Sequence, residues 1–330
     1  MQRWPSLEAL AGALQQDAGM FYFLVLMSGL PEMRSIYESR STPWDAALDT
    51  LDNVKVCMDQ CRKEHGVWGL SDPDRVQWLR SHLRGELFRL GRFQFQFGLF
   101  KYKLRAFRHR TSNVVVALSE GGVSYLPDGQ VNSPQRLCDT TGEWTSELTI
   151  EDDGVTGHPI LPAGCALRRK VHLPTTEWQQ VLAPNDPALY LHMPEGGPMT
   201  HDLCGKSFEL AMEFFPRHFP ERPFVCFCCE SWLLDSQLQE MLPTTSNLVR
   251  FQKELYLLPY EAYDPQLFEV IFDGIPEDPA KAPRDTTLQR ALLDRLVAGE
   301  HLHASAGACF LLPEDFDWGA QVYLRQEFPW

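Results

Sequence analysis

The stretch that decides the fold is ALYLHMPEGGPMTHDLCGKSFELAMEFFPRHFPERPFVCFCCES, residues 188–231. Its first five residues and its apolar run at residues 224–229 have the length and character of strands, and the second run is typical of a strand covered on both faces. Between them, apolar residues have the i, i+3, i+4, i+7 spacing of one helix face: Phe208, Ala211, Met212 and Phe215. Strand, helix and strand within about 40 residues predict a βαβ crossover.

The limits of this helix are also marked in the sequence. Thr200 is a residue type favoured at a helix N-cap, and Pro216 predicts the helix end because proline has no amide donor. Farther along the chain, apolar spacing predicts a second helix over residues 232–242, a strand over 247–257 and a late helix over 286–297.

The residues before this unit have a different pattern. The first 90 residues have a helical pattern, with an apolar run at 20–30 that predicts a buried helix, and Pro31, Pro43 and Pro73 divide it. From Phe93, phenylalanines alternate with polar residues, which predicts a half-buried strand with a turn or bulge at residues 98–99. Short strands and turns follow. We therefore expect a first domain over 1–186, helical to residue 90 and β-rich over 91–186, and a second over 187–330.

Composition limits the classes of protein that the chain can belong to. With 44% hydrophobic residues among 330, the chain can form packed cores. Its net charge of −14 argues against broad electrostatic binding of nucleic acid or an anionic membrane. The apolar run at residues 20–30 is shorter than the roughly 20 residues of a spanning helix. The nine cysteines are odd in number and scattered, so we expect reduced thiols and a cytoplasmic protein.

Several unusual strings occur in order along the chain. They are SGLPEMRSIY at 28–37, HGVWGL at 65–70, FRLGRFQF at 88–95, LHMP at 191–194, FFPRHFP at 214–220, SWLLD at 231–235 and SNLVRFQ at 246–252. With these strings the chain resembles the two-domain acyltransferase-like proteins of bacteria. In that family an acyltransferase-like N-terminal domain precedes a domain of the GCN5-related N-acetyltransferase (GNAT) type.

The resemblance implies a fold and an activity. The fold is α+β, with a helical N-terminal region, a β-rich middle and a GNAT-like α/β C-terminal domain with a mixed sheet. The activity is acyl transfer from acyl-CoA or acetyl-CoA, with no metal, to an unidentified small-molecule amine or similar nucleophile. Neither the oligomeric state nor the acyl chain length follows from the resemblance.

A GNAT enzyme has to bind the CoA pyrophosphate, commonly at a glycine-bearing loop that leads into a helix N-terminus. Gly196, Gly197 and Thr200 lie at the corresponding place between a predicted strand and helix. The family's usual Arg/Gln-x-x-Gly-x-Gly/Ala loop is absent, and Asp202 lies in the first helical turn. A plain strand-to-helix turn capped by Thr200 is therefore the alternative interpretation.

Acyl transfer to an amine also needs a base and a proton donor. His192 ends the first strand, Glu230 ends the second, and Ser231 follows as a candidate hydrogen-bonding group or proton donor. If the two strands are parallel neighbours that separate toward their carboxyl ends, His192 and Glu230 reach one crevice. The alternatives are a core histidine and a helix-start carboxylate.

Four further interpretations stay open. The basic residues between Lys101 and Arg110 can bind phosphates or form a solvated strand face. Cys57, Cys61 and His65 share a helix face, but the sequence has no CxxC pair, so packing is the expected role of the cysteines. Cys229 is a minor candidate nucleophile. A GNAT-shaped binding or scaffold protein without catalysis is the alternative to an enzyme.

Overall fold

The structure is a computed structural model that describes residues 14, 17–132, 141–194, 196–260, 268, 271–272, 276, 278–299 and 307–328. It divides into two compact units. The first contains the described chain up to Phe97 together with Tyr190–Pro223, and the second contains Gly98–Leu189 together with the described chain from Phe224 onward. The domain boundary expected near residue 186 is a division along the sequence, and it stays a prediction.

The helices have the following bounds: α1 Ala18–Met27, α2 Leu30–Ser39, α3 Trp44–His65, α4 Pro73–Leu83, α5 His201–His218, α6 Leu238–Met241, α7 Asn247–Lys253 and α8 Thr287–Ala298. Pro31, Pro43 and Pro73 lie within one residue of the starts of α2, α3 and α4, where a missing amide donor costs no helical hydrogen bond. The late helix expected from Thr286 is confirmed as α8.

The strands have the following bounds: β1 Leu87–Leu90, β2 Phe93–Leu99, β3 Leu104–His109, β4 Val115–Ser119, β5 Ser124–Tyr125, β6 Trp144–Thr145, β7 Leu148–Ile150, β8 Gly154–Gly157, β9 Pro159–Leu161, β10 Cys165–Ala166, β11 Val171–Pro174, β12 Trp178–Leu182, β13 Pro187–His192, β14 Cys226–Ser231, β15 Tyr256–Leu258 and β16 Gly307–Leu311. The predicted strands around residues 188–192 and 224–229 are confirmed as β13 and β14.

Aromatic side chains build the core of the first unit. β1 and β2 pair antiparallel, with Phe88 opposite Phe95. The Phe88 ring lies 5.9 Å from the ring of Phe215, and the Phe95 ring lies 6.0 Å from that of Phe208, measured between centroids. All four side chains are almost completely buried, and each aromatic ring removes a large apolar area from water. The apolar face predicted for α5 therefore packs on this hairpin.

The second unit confirms the β-rich middle. One antiparallel sheet has the strand order β10-β9-β4-β3-β12, a second has the order β11-β8-β7, and β5 pairs with β6. Phe107, Val116, Leu118 and Trp178 form a buried cluster between them. In the turn between β5 and β6, the Asp128 carboxylate accepts a hydrogen bond from the amide of Gln130 at 2.9 Å.

The second unit also confirms the expected mixed sheet. The amide of Val225 donates to the carbonyl of Pro187 at 2.9 Å, just before β14 and at the start of β13, so the two strands begin side by side and run in the same direction. β14 then pairs antiparallel with β16, and β16 pairs antiparallel with β15. Parallel and antiparallel neighbours together make a mixed sheet in an α+β fold.

Two predicted boundaries are wrong. α5 does not end at Pro216 but continues to His218, because the proline lies in the last turn, where it removes a single helical hydrogen bond. β2 shows no reversal at residues 98–99 and extends to Leu99. Phe100 and Tyr102 are buried as their apolar character suggests, but neither lies in a strand.

Two predictions in the C-terminal part are also wrong. Most of the strand expected over residues 247–257 is the helix α7, and only β15 at its end is a strand. The Gln252 amide of α7 donates to the carbonyls of Leu233 and Asp235, so α7 packs on the turn after β14. The helix expected over 232–242 is split into a 3-10 turn and α6, because the Asp235 carboxylate accepts from the amide of Gln237 at 2.9 Å.

The apolar run near the start forms a helix but is only partly buried. α1 buries Tyr22 and Leu26, whereas Leu24 is 59% exposed. The prediction of a buried helix is therefore wrong for one side of α1. Within the described ranges, no helix combines the length and apolar character needed to cross a membrane.

Gly307 provides a test of the close packing at the start of β16. A Cβ atom at this position would overlap with the backbone carbonyl of Leu234, in the turn after β14. We expect Gly307→Ala to lower the free energy of unfolding by about 1–3 kcal/mol, because the turn has to move away. Urea unfolding measures this. Gly121→Ala is the matched control, since a Cβ there would make an ordinary 3.6 Å contact with the amide of Leu148, and equal loss in both variants would contradict the prediction.

Candidate functional site

His192 is the last residue of β13 and lies beside β2 in the first unit. Its Nε2 atom is 3.0 Å from Oε1 of Gln96. An amide oxygen only accepts hydrogen bonds, so Nε2 carries the proton of the neutral ring and Nδ1 is its basic nitrogen. The imidazole also packs edge-on against Trp78 of α4, with 4.8 Å between ring centroids. The two contacts fix both the orientation and the tautomer of His192.

A second histidine, His82, lies on the other side of Trp78. Its ring is 5.6 Å from that of Trp78, and its side chain is fully buried. The amide nitrogens of Asn53 and Gln94 are each 3.2 Å from Nε2 of His82, so Nε2 accepts and Nδ1 carries the proton. The pKa of His82 is lowered to about 4, mainly by burial, and a charge on the nearby His192 acts in the same direction. His82 is therefore neutral at physiological pH.

Two cavities adjoin this histidine cluster along α3. The first has a volume of about 280 Å³. It is lined by residues of α3, α4, β2 and β13, including Asn53, Gln60, Arg75, Trp78, Gln94 and His192. The second has a volume of about 370 Å³, shares Val56 and Gln60 with the first, and is bordered by Lys63 and Gly196. Together the cavities extend from His192 to the loop before α5.

We call the two adjoining cavities between His192 and Gly196 the groove. The loop after β13 connects the groove to the start of α5. Gly196 and Gly197 have φ angles of 96° and 72°, a left-handed conformation that favours glycine, and a Cβ on either would meet no atom within 4 Å. Thr200 is confirmed as the N-cap of α5, with its Oγ1 accepting from the amide of Leu203 at 3.4 Å. The guanidinium of Arg92, in the turn between β1 and β2, donates to the carbonyl of Pro194 at 2.8 Å and ties the loop to this hairpin.

Glu230 and Ser231 end β14 in the second unit. The Glu230 carboxylate is exposed and lies 2.7 Å from Nζ of Lys101. The Ser231 hydroxyl accepts from the amide of Leu233 at 3.2 Å and caps the 3-10 turn that follows. Glu230 and His192 belong to different compact units, so their approach to a shared crevice stays a prediction.

The other candidate groups have structural roles in the described chain. The strand cations pair with their own carboxylates, Arg105 with Glu120 at 2.7 Å and Arg108 with both Glu314 and Asp315. Cys57 and Cys61 are buried, and no set of three metal-ligating side chains comes together among the described residues. Burial raises the pKa of the Cys229 thiol well above its ordinary value, which keeps it protonated and weakly nucleophilic.

Sequence reasoning did not identify several residues of the groove. Gln94 and Gln96 belong to the polar face of β2, and the alternation suggested that this face meets water, yet Gln94 is 1% exposed. Because Phe93 and Phe95 face α5, the glutamines face the opposite way, toward α3 and α4. The sequence did contain one signal, the two glutamines themselves. Amide side chains that alternate with phenylalanines along a strand suit a buried polar network.

The geometry defines a class of protein. A strand of a mixed sheet ends at His192 and is followed by a glycine-bearing loop, a capped helix and a parallel strand whose last two residues are Glu230 and Ser231. This is the arrangement of a GNAT-like acyltransferase fold.

Comparison with family models agrees with this class. Residues 87–309 match the GNAT-like C-terminal domain, and residues 2–85 match the N-acyltransferase N-terminal domain. The chain therefore belongs to the family of two-domain proteins in which an N-acyltransferase N-terminal domain precedes a GNAT-like C-terminal domain. No curated protein is similar enough to count as a match.

Solved acyltransferase structures have the same fold. One, in complex with CoA and 10C-teicoplanin, is 22% identical with a TM-score of 0.55, covering 90% of this chain and 67% of that chain. Another, in complex with decanoyl-CoA, is 22% identical with a TM-score of 0.56, covering 91% of this chain and 68% of that chain. A mutant in complex with octanoyl-CoA is similar to the same extent, at 22% identity and a TM-score of 0.55 over 90% and 67%.

Proposed function

We propose that the protein is an acyl-CoA-dependent acyltransferase that transfers an acyl group to a small amine or similar nucleophile. The observation that carries the proposal is that His192 and Gly196 line two adjoining cavities, and that the chain continues from Gly196 through Gly197 to the start of α5. The structural relatives bind CoA, octanoyl-CoA or decanoyl-CoA, which supports a CoA thioester as the donor.

The chemistry assigns a role to each group at the strand ends. The amine nitrogen attacks the thioester carbonyl carbon, a C–N bond forms, and the C–S bond breaks. An ammonium has no lone pair, so a base has to take its proton, and Nδ1 of His192 is the proposed base. The CoA thiolate leaves, stabilised by a hydrogen bond that the Ser231 hydroxyl is proposed to donate, and takes up a proton from water. Glu230 is proposed as a second base, and its carboxylate forms an ion pair with Lys101.

The loop and the helix start supply a site for the CoA pyrophosphate. Gly196, Gly197 and Thr200 lead into α5, whose N-terminal amides and dipole favour a negative charge. The glycines leave the backbone of the loop open, because no side chain covers it at these two positions. Lys63 borders the second cavity together with Asp59, and it is the cation there that suits phosphate.

Binding of CoA thioesters to the full chain tests this function. Isothermal titration with acetyl-CoA, octanoyl-CoA and decanoyl-CoA is expected to show binding of at least one. Lys63→Met should weaken that binding up to about fivefold, the size of an exposed ion pair, and more at low salt than at high salt. Lys55→Met is the matched control, because Lys55 lies exposed on the same helix but does not border either cavity.

Three outcomes would contradict parts of the proposal. If none of the three thioesters binds at millimolar concentration, the chain is not a CoA-dependent enzyme. If Lys63→Met and Lys55→Met behave alike, the phosphates bind elsewhere. Binding without transfer to any amine would favour the alternative, a GNAT-shaped binding or scaffold protein.

A further inference from the structure

The first cavity of the groove, beside His192, contains groups that the proposed chemistry does not use. Its lining also includes Arg75 and the side-chain amides of Asn53 and Gln94. The volume of about 280 Å³ lies just below the range of about 300–1,000 Å³ that is typical of pockets for drug-sized molecules. The cavity therefore suits a smaller molecule, and its polar groups indicate the chemistry of that molecule.

Arg75 gives this cavity a positive charge. It lies in the first turn of α4, three residues before Trp78, and both residues line the cavity from the same helix face. Arg75 is partly buried and forms no ion pair within the described ranges. The neighbouring Asp72 carboxylate is used elsewhere, since it accepts from the backbone amide of Arg75 at 2.9 Å and from the Ser71 hydroxyl at 2.7 Å.

The charge of Arg75 is not balanced within the lining. Among the described residues that line the cavity, none is an aspartate or a glutamate, although the whole chain has a net charge of −14. A guanidinium binds a carboxylate through two parallel hydrogen bonds, because its planar fork matches the two oxygens. The cavity therefore favours a ligand with a carboxylate and disfavours one whose only charge is an ammonium.

Other groups of the same cavity suit an amine. The amide nitrogens of Asn53 and Gln94 face Nε2 of His82, so each amide has its oxygen left as an acceptor. Neither oxygen has a hydrogen-bond partner among the described residues, and both side chains line the cavity. Together with Nδ1 of His192, these oxygens are acceptors for the N–H groups of a bound amine.

We propose that this cavity binds the acceptor, and that the acceptor is a small amino acid, which carries both the attacking amine and a carboxylate. The inference rests on the proposed function, since it names the class of its second substrate. The carboxylate pairs with Arg75, and Nδ1 of His192 takes the proton of the amine. The thioester arrives from the second cavity, which shares Val56 and Gln60 with the first. A C–N bond forms and the C–S bond breaks, so the products are an N-acyl amino acid and CoA.

Matched pairs of probes test the chemical class by isothermal titration of the full chain without CoA. The amino acids are glycine, L-alanine, β-alanine and 4-aminobutanoate, and each is compared with its carboxamide. The carboxamide keeps the amine and the size of the molecule but removes the negative charge. At least one amino acid should bind about tenfold or more tightly than its carboxamide, as expected for hydrogen bonds to a charged group. The preferred probe also indicates the spacing between the amine and the carboxylate.

The Arg75→Met variant connects this preference to the cavity. It removes the charge and keeps a long side chain, so the amino acid should lose about tenfold in affinity and its carboxamide should lose little. Arg80→Met is the matched control, because Arg80 lies exposed on the same helix outside the cavity, and it should leave both affinities unchanged. Stability to urea should stay close to that of the parent chain, because the Asp72 cap uses the backbone amide of residue 75.

The outcomes separate this inference from the proposed function. Equal binding of every amino acid and its carboxamide, no binding of any amino acid at 50 mM, or an unchanged preference in Arg75→Met overturns the inference even when acyl-CoA binds. A loss of acyl-CoA affinity in Arg75→Met, with amino-acid binding unchanged, also overturns it, because Arg75 then binds a phosphate of the donor. If amino acids bind through Arg75 and no acyl-CoA binds, the cavity is an amino-acid site but not an acceptor site, and the proposed function is the part that fails.

Discussion

The His192→Ala variant is expected to lower kcat/KM for acyl transfer by about 100- to 10,000-fold, the usual contribution of a positioned general base. Without the imidazole, the attacking amine has to lose its proton to water. The measurement is thiol release from the acyl-CoA that the titrations identify, with an amine acceptor that gives turnover. Acyl-CoA affinity and urea stability should change much less, because the half-buried ring lies at the edge of a cavity and its bond to Gln96 is a single side-chain hydrogen bond.

Gln96→Leu is the informative companion variant. It keeps the His192 base but removes the acceptor that fixes the proton on Nε2, so the loss should be smaller and should depend on pH. Glu230→Gln in the same assay separates the two candidate bases, since it keeps shape and removes charge. Full turnover by His192→Ala across the pH range, with unchanged acyl-CoA binding, would contradict a role for this histidine in proton transfer.

The parts of the fold that the sequence predicts are those in which local pattern and packing agree. The apolar face of α5 is visible as a helical spacing because a single surface, the β1–β2 hairpin, covers it. Residues 247–253 show the opposite case. Their apolar residues suit a strand as well as a helix, and the helix is tied to the turn after β14 by the Gln252 amide, which donates to the carbonyls of Leu233 and Asp235. A contact with residues so distant along the chain leaves no local signal.

The candidate site was predictable where it follows the ends of strands. His192 and the glycine loop are placed by β13 and α5, and both elements can be recognised in the sequence. The other side of the groove was not predictable from the sequence. It is supplied by Asn53 and Lys63 of α3, which lies far earlier in the chain. Spacing within one helix indicates which residues share a face, but not which strand that face meets.

The free energy of unfolding is expected to fall by about 3 kcal/mol between pH 6.5 and pH 4 through His82 alone. In the unfolded chain His82 has the ordinary pKa of 6.5, and in the fold burial lowers its pKa to about 4. Between these values the unfolded chain binds a proton that the folded chain does not. The stability from the neutral ring is therefore fully present above pH 6.5 and is lost as the pH falls toward 4.

Other groups also titrate in this range, so the difference between variants is the quantity to measure. Urea unfolding at pH 7, 6, 5 and 4.5 should show a weaker pH dependence for His82→Gln than for the parent chain, even if the variant is less stable at pH 7. His65→Gln is the matched control, since His65 lies exposed at the end of α3. Protonation of His82 would place a donor on Nε2 against the amide nitrogens of Asn53 and Gln94, which only donate. If His82→Gln keeps the full slope, the ring is protonated in the fold, and the buried network has a different arrangement of donors.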